Sequence, residues 1–585
     1  MEQTWPTDER QGQTTRELSV PLWLTRERAL YGLMVAVGLA VRLAALGRWP
    51  LLEEEAETAL AAWRTLQGST WRPEYYSPLL YGANLFCFAL LQATDAAVRL
   101  LPALVGALLP LSLYALRERV GRHGALAAAA LLTLAPTWVF FSRTAATPIL
   151  ATGSSLLLLA AGLRYVATRE ERFLTLGAVA LALGLASGPG IYTLLVAATL
   201  FGGGQLLAAR RGQNKLGRTG QPPLYTAITR RHGLLLVGTF LAIASALGFN
   251  LGGIGASADL AGWWVRDLFS TSDLPATAVP RILVTYESLT LVLALIGAVQ
   301  GLRRKDDLTA FFGIWLLVAL ATSILGGHRT PMWSVDALLP LVLLAALGAQ
   351  TLCQELSIGA TPYEWAAVAV ALAVSAFGFL KVATYTHTGQ SDALTYARVA
   401  WGLLIIAWAA YWYWRGVQPA LLVATIVLGA AFGVLTVRAT TAVAYQTARD
   451  AREPLAQWPT SQQMSAFREW IITYSSRRAG DPHALDVAYV EDLDPWIGWY
   501  LRDFWTVEAI PGLPLATGQT ALIAPAREED KPPPGYVGQR FRLREGWAAQ
   551  RLSPRERLRW LFYRDPVGHE IAEEFEIWVR LSSAE

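Results

Sequence analysis

The chain has 585 residues, of which 54% are hydrophobic and only 16% are charged. Soluble domains carry about 25% charged residues, so this composition excludes an ordinary cytosolic enzyme. Basic residues exceed acidic ones by only 49 to 45 and are scattered, which argues against a nucleic-acid-binding protein. The two cysteines, Cys87 and Cys353, lie in apolar runs, which excludes a disulfide framework and a cysteine-ligated zinc site.

Long apolar runs fill the chain before residue 438. A transmembrane helix needs about 20 apolar residues, and the sequence predicts thirteen spans, with eleven to fourteen compatible because several runs are short. The runs are 29–46, 98–116, 125–141, 148–166, 173–187, 189–208, 234–251, 281–301, 308–326, 333–353, 363–381, 399–414 and 418–437. A shorter run, Pro78–Leu91, is bounded by polar residues, which predicts a half-helix at the membrane interface.

The distribution of basic residues predicts how the chain is oriented in the cell membrane. Of the 32 Lys and Arg residues in 1–438, 20 fall on one side if the N-terminus is cytoplasmic. The polar segment 1–28 has no cleavage site after an apolar core, so the first span is predicted to be an anchor rather than a removed signal. We therefore expect a transmembrane domain over 29–438, with a long first external loop at 47–97.

The composition changes at residue 439. Residues 439–585 carry 17 basic and 21 acidic residues and no long apolar run, and with thirteen spans they lie outside the cytoplasm. Alternating apolar residues predict a small α/β domain. Its predicted strands are 485–490, 505–510, 520–524, 537–543 and 574–581, its predicted helices are 465–475 and 554–563, and 531–535 is predicted to be a loop.

Four carboxylates crowd the first external loop, at Glu53, Glu54, Glu55 and Glu57. Mutual repulsion raises the pKa of crowded carboxylates, and a raised pKa suits a general base. The cluster could equally hold a divalent cation. The alternative interpretation is a solvated acidic helix N-terminus, where the helix dipole favours negative charge.

Cationic residues lie near the predicted external ends of several spans. Arg143, between spans three and four, and His328 with Arg329, before span ten, could bind a lipid phosphate or neutralise an anionic leaving group. Snorkelling at a span end, or simple surface placement, is the alternative. Arg42, near the outer end of span one, is costly in lipid unless it snorkels, pairs with the acidic cluster or meets a lipid phosphate.

Polar and aromatic residues on the predicted external side are candidates for contact with an acceptor or a sugar. They are Glu57, Tyr76, Trp263 and Trp496. Trp263 and Trp264 could instead belong to an interfacial aromatic belt, and the segment around Trp496 could be a packed helix. The histidines are scattered without metal spacing, so no metal site is predicted, and the sequence has no Walker loop or dinucleotide fingerprint, which argues against an ATP-driven pump.

Five short motifs occur in an order that resembles the polyprenyl-phosphate-dependent glycosyltransferases of the GT-C class. They are Glu54-Glu55-Ala56, the pair Ser77–Tyr81 and Ala97–Ala103, Phe141-Ser142-Arg143, Arg329–Trp333 and Trp499–Asp503. Within that class they are most similar to the family labelled flippase-activity-associated protein, which is related to protein O-mannosyltransferases. Glu54 stands where that family usually has Asp, and Arg329 where it has Lys.

The resemblance implies an α-helical polytopic membrane protein with about 13 transmembrane helices and a C-terminal extracytoplasmic α/β domain. It implies transfer of a sugar from a polyprenyl-phosphate donor in the membrane lipids to a protein, glycan or lipid acceptor, by one inverting displacement. Glu54 would then be the general base and Glu55 would orient the base or the acceptor. Arg143, His328, Arg329 and Arg42 would hold the lipid phosphate.

The resemblance implies no cofactor. Two other functions stay open on the sequence alone. One is a non-catalytic flippase, or a flippase-associated protein that binds lipid-linked sugar. The other is a binding protein whose external domain recognises a glycan or a protein. A transporter needs ionisable groups near the middle of its spans. The predicted spans hold few such groups apart from Arg42 and Asp336, and these two are predicted near the outer face. This distribution favours the transferase.

Overall fold

The computed structural model describes residues 25–69, 71–210, 228–271, 274–327, 329–356, 361–513, 518–527, 532–547, 552–565, 568 and 570–581. Within those ranges, the part before residue 447 consists of helices joined by loops. Its helices are α1 Arg26–Leu43, α2 Glu53–Leu66, α3 Pro78–Leu91, α4 Asp95–Leu108, α5 Pro110–Val120, α6 Arg122–Leu134, α7 Pro136–Ser142, α8 Thr147–Thr168, α9 Glu171–Ser187, α10 Gly190–Arg210, α11 Arg230–Ala244, α12 Gly253–Asp267, α13 Ala278–Tyr286, α14 Ser288–Arg304, α15 Asp307–Leu325, α16 Trp333–Glu355, α17 Pro362–Thr388, α18 Ser391–Arg415 and α19 Val417–Thr441.

Helices occupy all thirteen predicted apolar runs. Within the described ranges, eight helices are long and apolar enough to cross a membrane, or up to ten if two bent pairs each count as one span. α1 carries four charged residues, and α9 and α11 have only 17 and 15 residues. The helical, multi-pass architecture is therefore confirmed, while the count of thirteen stays a prediction.

Two pairs of consecutive helices are sharply bent. α6 and α7 meet at 54°, where Pro136 begins α7 and cannot continue the hydrogen bonding of α6. α13 and α14 meet at 99°, and Glu287 lies at that break. The first bend places the turn after α7 beside the N-terminus of α2, where the candidate site lies.

The first loop contains two helices. α3 has the predicted bounds because Pro78 begins it and the Ser77 hydroxyl accepts a 3.3 Å hydrogen bond from the Leu80 amide. α2 carries three acidic residues in its first turn. That placement agrees with the helix-dipole interpretation of the cluster, but the three side chains have different surroundings.

The C-terminal part is a small α/β domain, as predicted. Its elements are α20 Gln463–Ala479, β1 Asp486–Val490, α21 Trp496–Tyr500, β2 Thr506–Ile510, β3 Ala521–Pro525, β4 Tyr536–Trp547, α22 Pro554–Tyr563 and β5 Glu570–Arg580. The sheet order is β2-β1-β3-β5-β4, with β1 parallel to β2 and β3, and β5 antiparallel to β3 and β4. β4 and β5 extend beyond their predicted bounds because they pair with each other, antiparallel, from Tyr536 opposite Arg580 to Trp547 opposite Glu570.

The core of this domain is continuous with the first loop. Trp499 and Ile497 are fully buried in one apolar cluster that also contains Ala59 and Leu60 of α2. The Trp499 indole donates a 2.8 Å hydrogen bond to Asp95 at the start of α4. The domain therefore fixes the position of α2 over one end of the helical bundle, which we call the domain-facing end.

Candidate active site

A cavity of about 130 Å³ opens at the domain-facing end. Four segments that are distant in sequence meet there: the N-terminus of α2, the turn between α7 and α8, the residues before α16, and the C-terminal domain. The lining residues are Leu52–Glu55, Phe141, Thr144–Ala146, Thr330–Met332, Leu455, Gln457, Trp458 and Arg544. Three of the predicted motif segments thus converge on one site.

Glu55 is buried at the base of this cavity. Arg99 of α4 contacts both of its carboxylate oxygens, at 2.8 and 2.7 Å, and Arg449 contacts one at 3.0 Å. The backbone amides of Leu52 and Ala145 donate further hydrogen bonds of 2.8 and 2.6 Å. Every partner is a donor, so the network holds Glu55 as a carboxylate.

The pKa of Glu55 reflects these donors. Burial alone would raise it, but the guanidinium groups of Arg99 and Arg449 and the amide of Leu52 outweigh burial and lower it to about 2. Glu55 therefore ties α2, α4 and the segment after α19 together. It does not contact the cavity as a free base.

Glu54 has the opposite environment. Its side chain is solvent-accessible within the cavity, and among the described residues no hydrogen-bond or ion-pair partner meets its carboxylate. Withdrawal from bulk solvent by the surrounding protein raises its pKa to about 7, and the neighbouring carboxylates of Glu53, Glu57 and Glu55 add to the increase. A carboxylate with that pKa and no bound donor can accept a proton from a substrate near neutral pH.

The other two acidic residues of the cluster flank Glu54. Glu53 accepts a 2.6 Å hydrogen bond from Arg544, and burial outweighs that contact, so its pKa is raised. Glu57 is half-buried, and burial together with the charges of Glu53 and Asp494 raises its pKa. Glu53 also lines the cavity but has Arg544 as a donor, and Glu57 does not line the cavity.

Arg544 is a cavity residue that the sequence did not single out. It lies on β4 and also pairs with Glu573 at 2.7 Å. Its guanidinium lies 5.0 Å from the ring centroid of Trp496. Trp496 is itself buried, with its indole donating to the Thr460 hydroxyl at 3.2 Å. The Trp496 ring supports Arg544 and does not line the cavity, and its contact with an acceptor stays a prediction.

Two of the three arginines expected to hold a lipid phosphate donate to protein oxygens in this structure. Arg143 caps the end of α1 through hydrogen bonds of 2.7 to 3.4 Å to the carbonyls of Val41, Arg42, Ala44 and Ala45. Arg42 is fully buried and donates to the Ser142 hydroxyl at 2.9 Å and to carbonyls of α1 and α6. Their binding of phosphate stays a prediction that these contacts do not favour.

Three further predicted residues lie beside or away from the cavity. Arg329 precedes the lining residues Thr330–Met332; one of its terminal nitrogens donates to Leu274 at 2.9 Å, while its buried Nε has no partner within the described ranges. Tyr76 accepts a 2.9 Å hydrogen bond from Asn250, and Trp263 stacks on Trp333 at 6.5 Å. Neither aromatic lines the cavity. His328 lies outside the described residues.

The described part of the chain contains no group of three or more His, Cys, Asp or Glu side chains arranged to hold a metal ion.

The sequence analysis assigned no role to three arginines that contact the acidic cluster, Arg99, Arg449 and Arg544. Arg99 carried a usable signal, because an arginine within a predicted span requires a buried partner. Arg449 and Arg544 lie in polar sequence, where an arginine is not unusual.

The architecture is a polytopic helical domain with acidic residues after the first helix and a small domain packed over them, as expected for the GT-C class that the motifs resemble. Residues 78–220 match the sequence model of a family described as dolichyl-phosphate-mannose-protein mannosyltransferase. No curated protein matches the chain by sequence.

Solved structures share this fold. ArnT from Cupriavidus metallidurans bound to undecaprenyl phosphate is 16% identical, with a TM-score of 0.53 over 85% of this chain and 93% of ArnT. ArnT in the apo state is 17% identical, with a TM-score of 0.50 over 83% and 86% of the two chains. An oligosaccharyltransferase from Archaeoglobus fulgidus tethered with an acceptor peptide is 11% identical, with a TM-score of 0.44 over 83% and 64%. The two ArnT structures therefore confirm the fold expected from the motifs.

Proposed function

We propose that this protein is a membrane glycosyltransferase that moves a sugar from a polyprenyl-phosphate donor to an acceptor hydroxyl on a protein, a glycan or a lipid. The observation that carries the proposal is the difference between Glu54 and Glu55. One carboxylate faces the cavity with a pKa of about 7, and its neighbour is held ionised by two arginines with a pKa of about 2. Pairs whose environments separate their pKa values in this way divide catalytic and supporting roles.

The chemistry requires one base and one stabilised leaving group. Glu54 removes the proton from the acceptor hydroxyl as the hydroxyl oxygen attacks the anomeric carbon of the sugar. The bond between that carbon and the phosphate oxygen breaks, polyprenyl phosphate leaves with the electron pair, and the configuration inverts. Glu55 orients Glu54 by fixing the first turn of α2, through its hydrogen bond from the Leu52 amide.

The leaving phosphate needs positive charge close to the cavity. Arg544 lines it, and Arg329 lies next to its lining residues with an unpartnered Nε in the described structure. We assign both to the phosphate in preference to Arg42 and Arg143, because neither of those guanidinium groups lines the cavity and each donates to several backbone carbonyls. In this arrangement the reaction takes place at the domain-facing end, and the substrate does not pass through the helical bundle.

The similar proteins support the donor class. ArnT is described as bound to undecaprenyl phosphate, and the matching family as acting with dolichyl-phosphate-mannose. Together with the basic residues at one end of the spans, they support a cytoplasmic N-terminus and a site and C-terminal domain on the extracytoplasmic side. The flippase alternative receives no comparable support from these matches.

The proposal is tested by incubating the purified protein in lipid with a panel of polyprenyl-phosphate sugars and short acceptors. We expect glycosylated acceptor and free polyprenyl phosphate in equal amounts, with inverted configuration at the anomeric carbon. Saturable binding of the lipid-linked sugars without any product would contradict the transferase and favour the binding or flippase alternative.

A further inference from the structure

A second cavity, of about 320 Å³, lies where α19 meets the bend between α13 and α14 and helix α22 of the C-terminal domain. It shares no lining residue with the cavity at Glu54. Most of its wall is apolar, from Val284, Phe432, Leu435, Leu561 and Phe562. Two arginines, Arg438 and Arg564, line it as well.

The charges around this cavity do not balance. Arg564 pairs through Nε with the buried carboxylate of Glu453 at 2.9 Å, but its buried Nη1 has no partner in the described structure. Arg438, in the last turn of α19, has no acidic partner among the residues described. Glu287, beside the lining residues of the bend, accepts from the Thr137 amide at 3.1 Å and from Thr290 at 3.3 Å instead. Asp565, which follows Arg564, accepts from Arg559 at 2.8 Å. Arg438 and Arg564 together therefore have a single carboxylate partner, Glu453, which pairs with Arg564.

Part of the apolar wall is exposed on the outside of the protein. The side chains of Val284, Leu435 and Leu561 are 64%, 39% and 43% exposed. α22 docks against the end of α17, with Phe562 packed on Phe379 at 5.0 Å and Arg555 donating to the His387 carbonyl at 2.8 Å. Helix α22 thus lies alongside a membrane-spanning helix, and an occupant of the cavity needs an apolar tail beside the apolar wall as well as an anionic head.

We propose that this cavity binds the phosphate headgroup of an anionic phospholipid through Arg438 and Arg564, with its acyl chain along Val284, Leu435 and Leu561. Two guanidinium groups with one carboxylate partner leave a charge that one phosphate diester matches. Basic pockets at the ends of membrane helices recognise anionic headgroups in this way. The proposal does not depend on the transferase activity, since it concerns a separate cavity.

The site is linked to the first cavity through one loop. Glu453, which pairs with Arg564, also accepts from the Thr447 hydroxyl at 2.9 Å. Leu455, Gln457 and Trp458, a few residues further along, line the cavity at Glu54. An occupied lipid site therefore holds Arg564 and Glu453 in place at the base of a loop that forms part of the active-site wall.

The test is native mass spectrometry of the full chain in detergent with equal amounts of phosphatidylglycerol and phosphatidylcholine of the same acyl chains. We expect the wild type to retain phosphatidylglycerol, Arg438→Gln to lower that preference about fivefold, and Arg438→Lys to keep most of it. Arg398→Gln is the matched control, because Arg398 is exposed on α18 and does not line the cavity. Unchanged preference in Arg438→Gln, or no preference in the wild type, would overturn the proposal.

Two competitors distinguish the source of the phosphate. Inorganic phosphate and polyprenyl phosphate are each added to the wild type with bound phosphatidylglycerol. Retention of the phospholipid in both mixtures supports a phospholipid site. Displacement by inorganic phosphate would overturn the assignment to a lipid, and Arg438-dependent displacement by polyprenyl phosphate would reassign the site to the donor lipid.

Discussion

The hydroxyl of Tyr500 accepts a 2.9 Å hydrogen bond from the backbone amide of Leu51, three residues before Glu54. Tyr500 belongs to the motif Trp499–Asp503 of the C-terminal domain, and Leu51 leads into α2. Within the same motif, Trp499 binds Asp95, and Arg502 contacts the Ala93 carbonyl. The motif therefore acts by clamping the domain onto the first loop, and it sets where Glu54 points.

Removing the Tyr500 hydroxyl tests this clamp. Tyr500→Phe keeps the buried ring but removes the acceptor for the Leu51 amide. We expect kcat to fall about tenfold or more with little change in KM, because small displacements of a catalytic group are costly. Tyr474→Phe is the control, since Tyr474 stacks on Trp470 in the same domain, away from the loop. Equal effects of the two substitutions would contradict the clamp.

The buried network around Glu55 predicts a large stability effect. Glu55→Gln leaves Arg99 and Arg449 buried without their common carboxylate, which costs about 3–5 kcal/mol. We expect a clear drop in the thermal midpoint in detergent. Glu118→Gln, which removes an exposed pair with Arg164, is expected to cost less than about 1 kcal/mol. A midpoint for Glu55→Gln as high as that of Glu118→Gln would show that the network does not stabilise the fold.

The pKa of about 7 at Glu54 predicts the pH dependence of transfer. The base works as a carboxylate, so the rate rises as pH increases through about 7 and levels off above it. The pKa of Glu55 is shifted in the opposite direction. Its carboxylate therefore stabilises the fold at pH values above the pKa of the unfolded state, and this contribution is lost as the pH falls toward about 2. The measurement is the rate of transfer from pH 5.5 to 8.5. A rate that is flat across this range would argue against Glu54 as the base.

Arg544 offers a test of charge at the cavity. Arg544→Gln removes the guanidinium that lines the cavity and pairs with Glu53, and we expect kcat to fall about tenfold as leaving-group stabilisation is lost. Arg540→Gln is matched to it, because Arg540 lies on the same strand and pairs with Glu576, away from the cavity. If both variants keep wild-type kcat, Arg544 has no part in the reaction.

Much of the fold could be predicted from local patterns. Pro78 and Ser77 specify the start of α3, and Ser553 and Pro554 specify that of α22, because caps and prolines act within one helical turn. The predicted strands were placed by alternation, and only their lengths changed. The sequence did not predict the helix bends. The bend between α13 and α14 places Glu287 in the core, at a position that the predicted span 281–301 treated as continuous helix.

The candidate site could be located but not resolved from sequence. The acidic cluster and parts of two further motif segments line one cavity, yet nothing local distinguishes Glu54 from Glu55. Their difference comes from Arg449, which is 394 residues away from Glu55 along the chain, and from Arg99 across the bundle. The same long-range packing turns Arg143 toward the carbonyls of α1. Charge patterns find such residues, but only the fold decides which partner each one meets.

The central claim is that Glu54 is the base of a glycosyl transfer. The most direct measurement is transfer from a polyprenyl-phosphate sugar by the purified protein in lipid, with Glu54→Gln beside Glu74→Gln, an exposed acid of the same loop that does not line the cavity. The account predicts that Glu74→Gln transfers sugar like the wild type and that Glu54→Gln loses at least about 10²-fold in rate while keeping its thermal midpoint. Transfer by Glu54→Gln at the wild-type rate would contradict it.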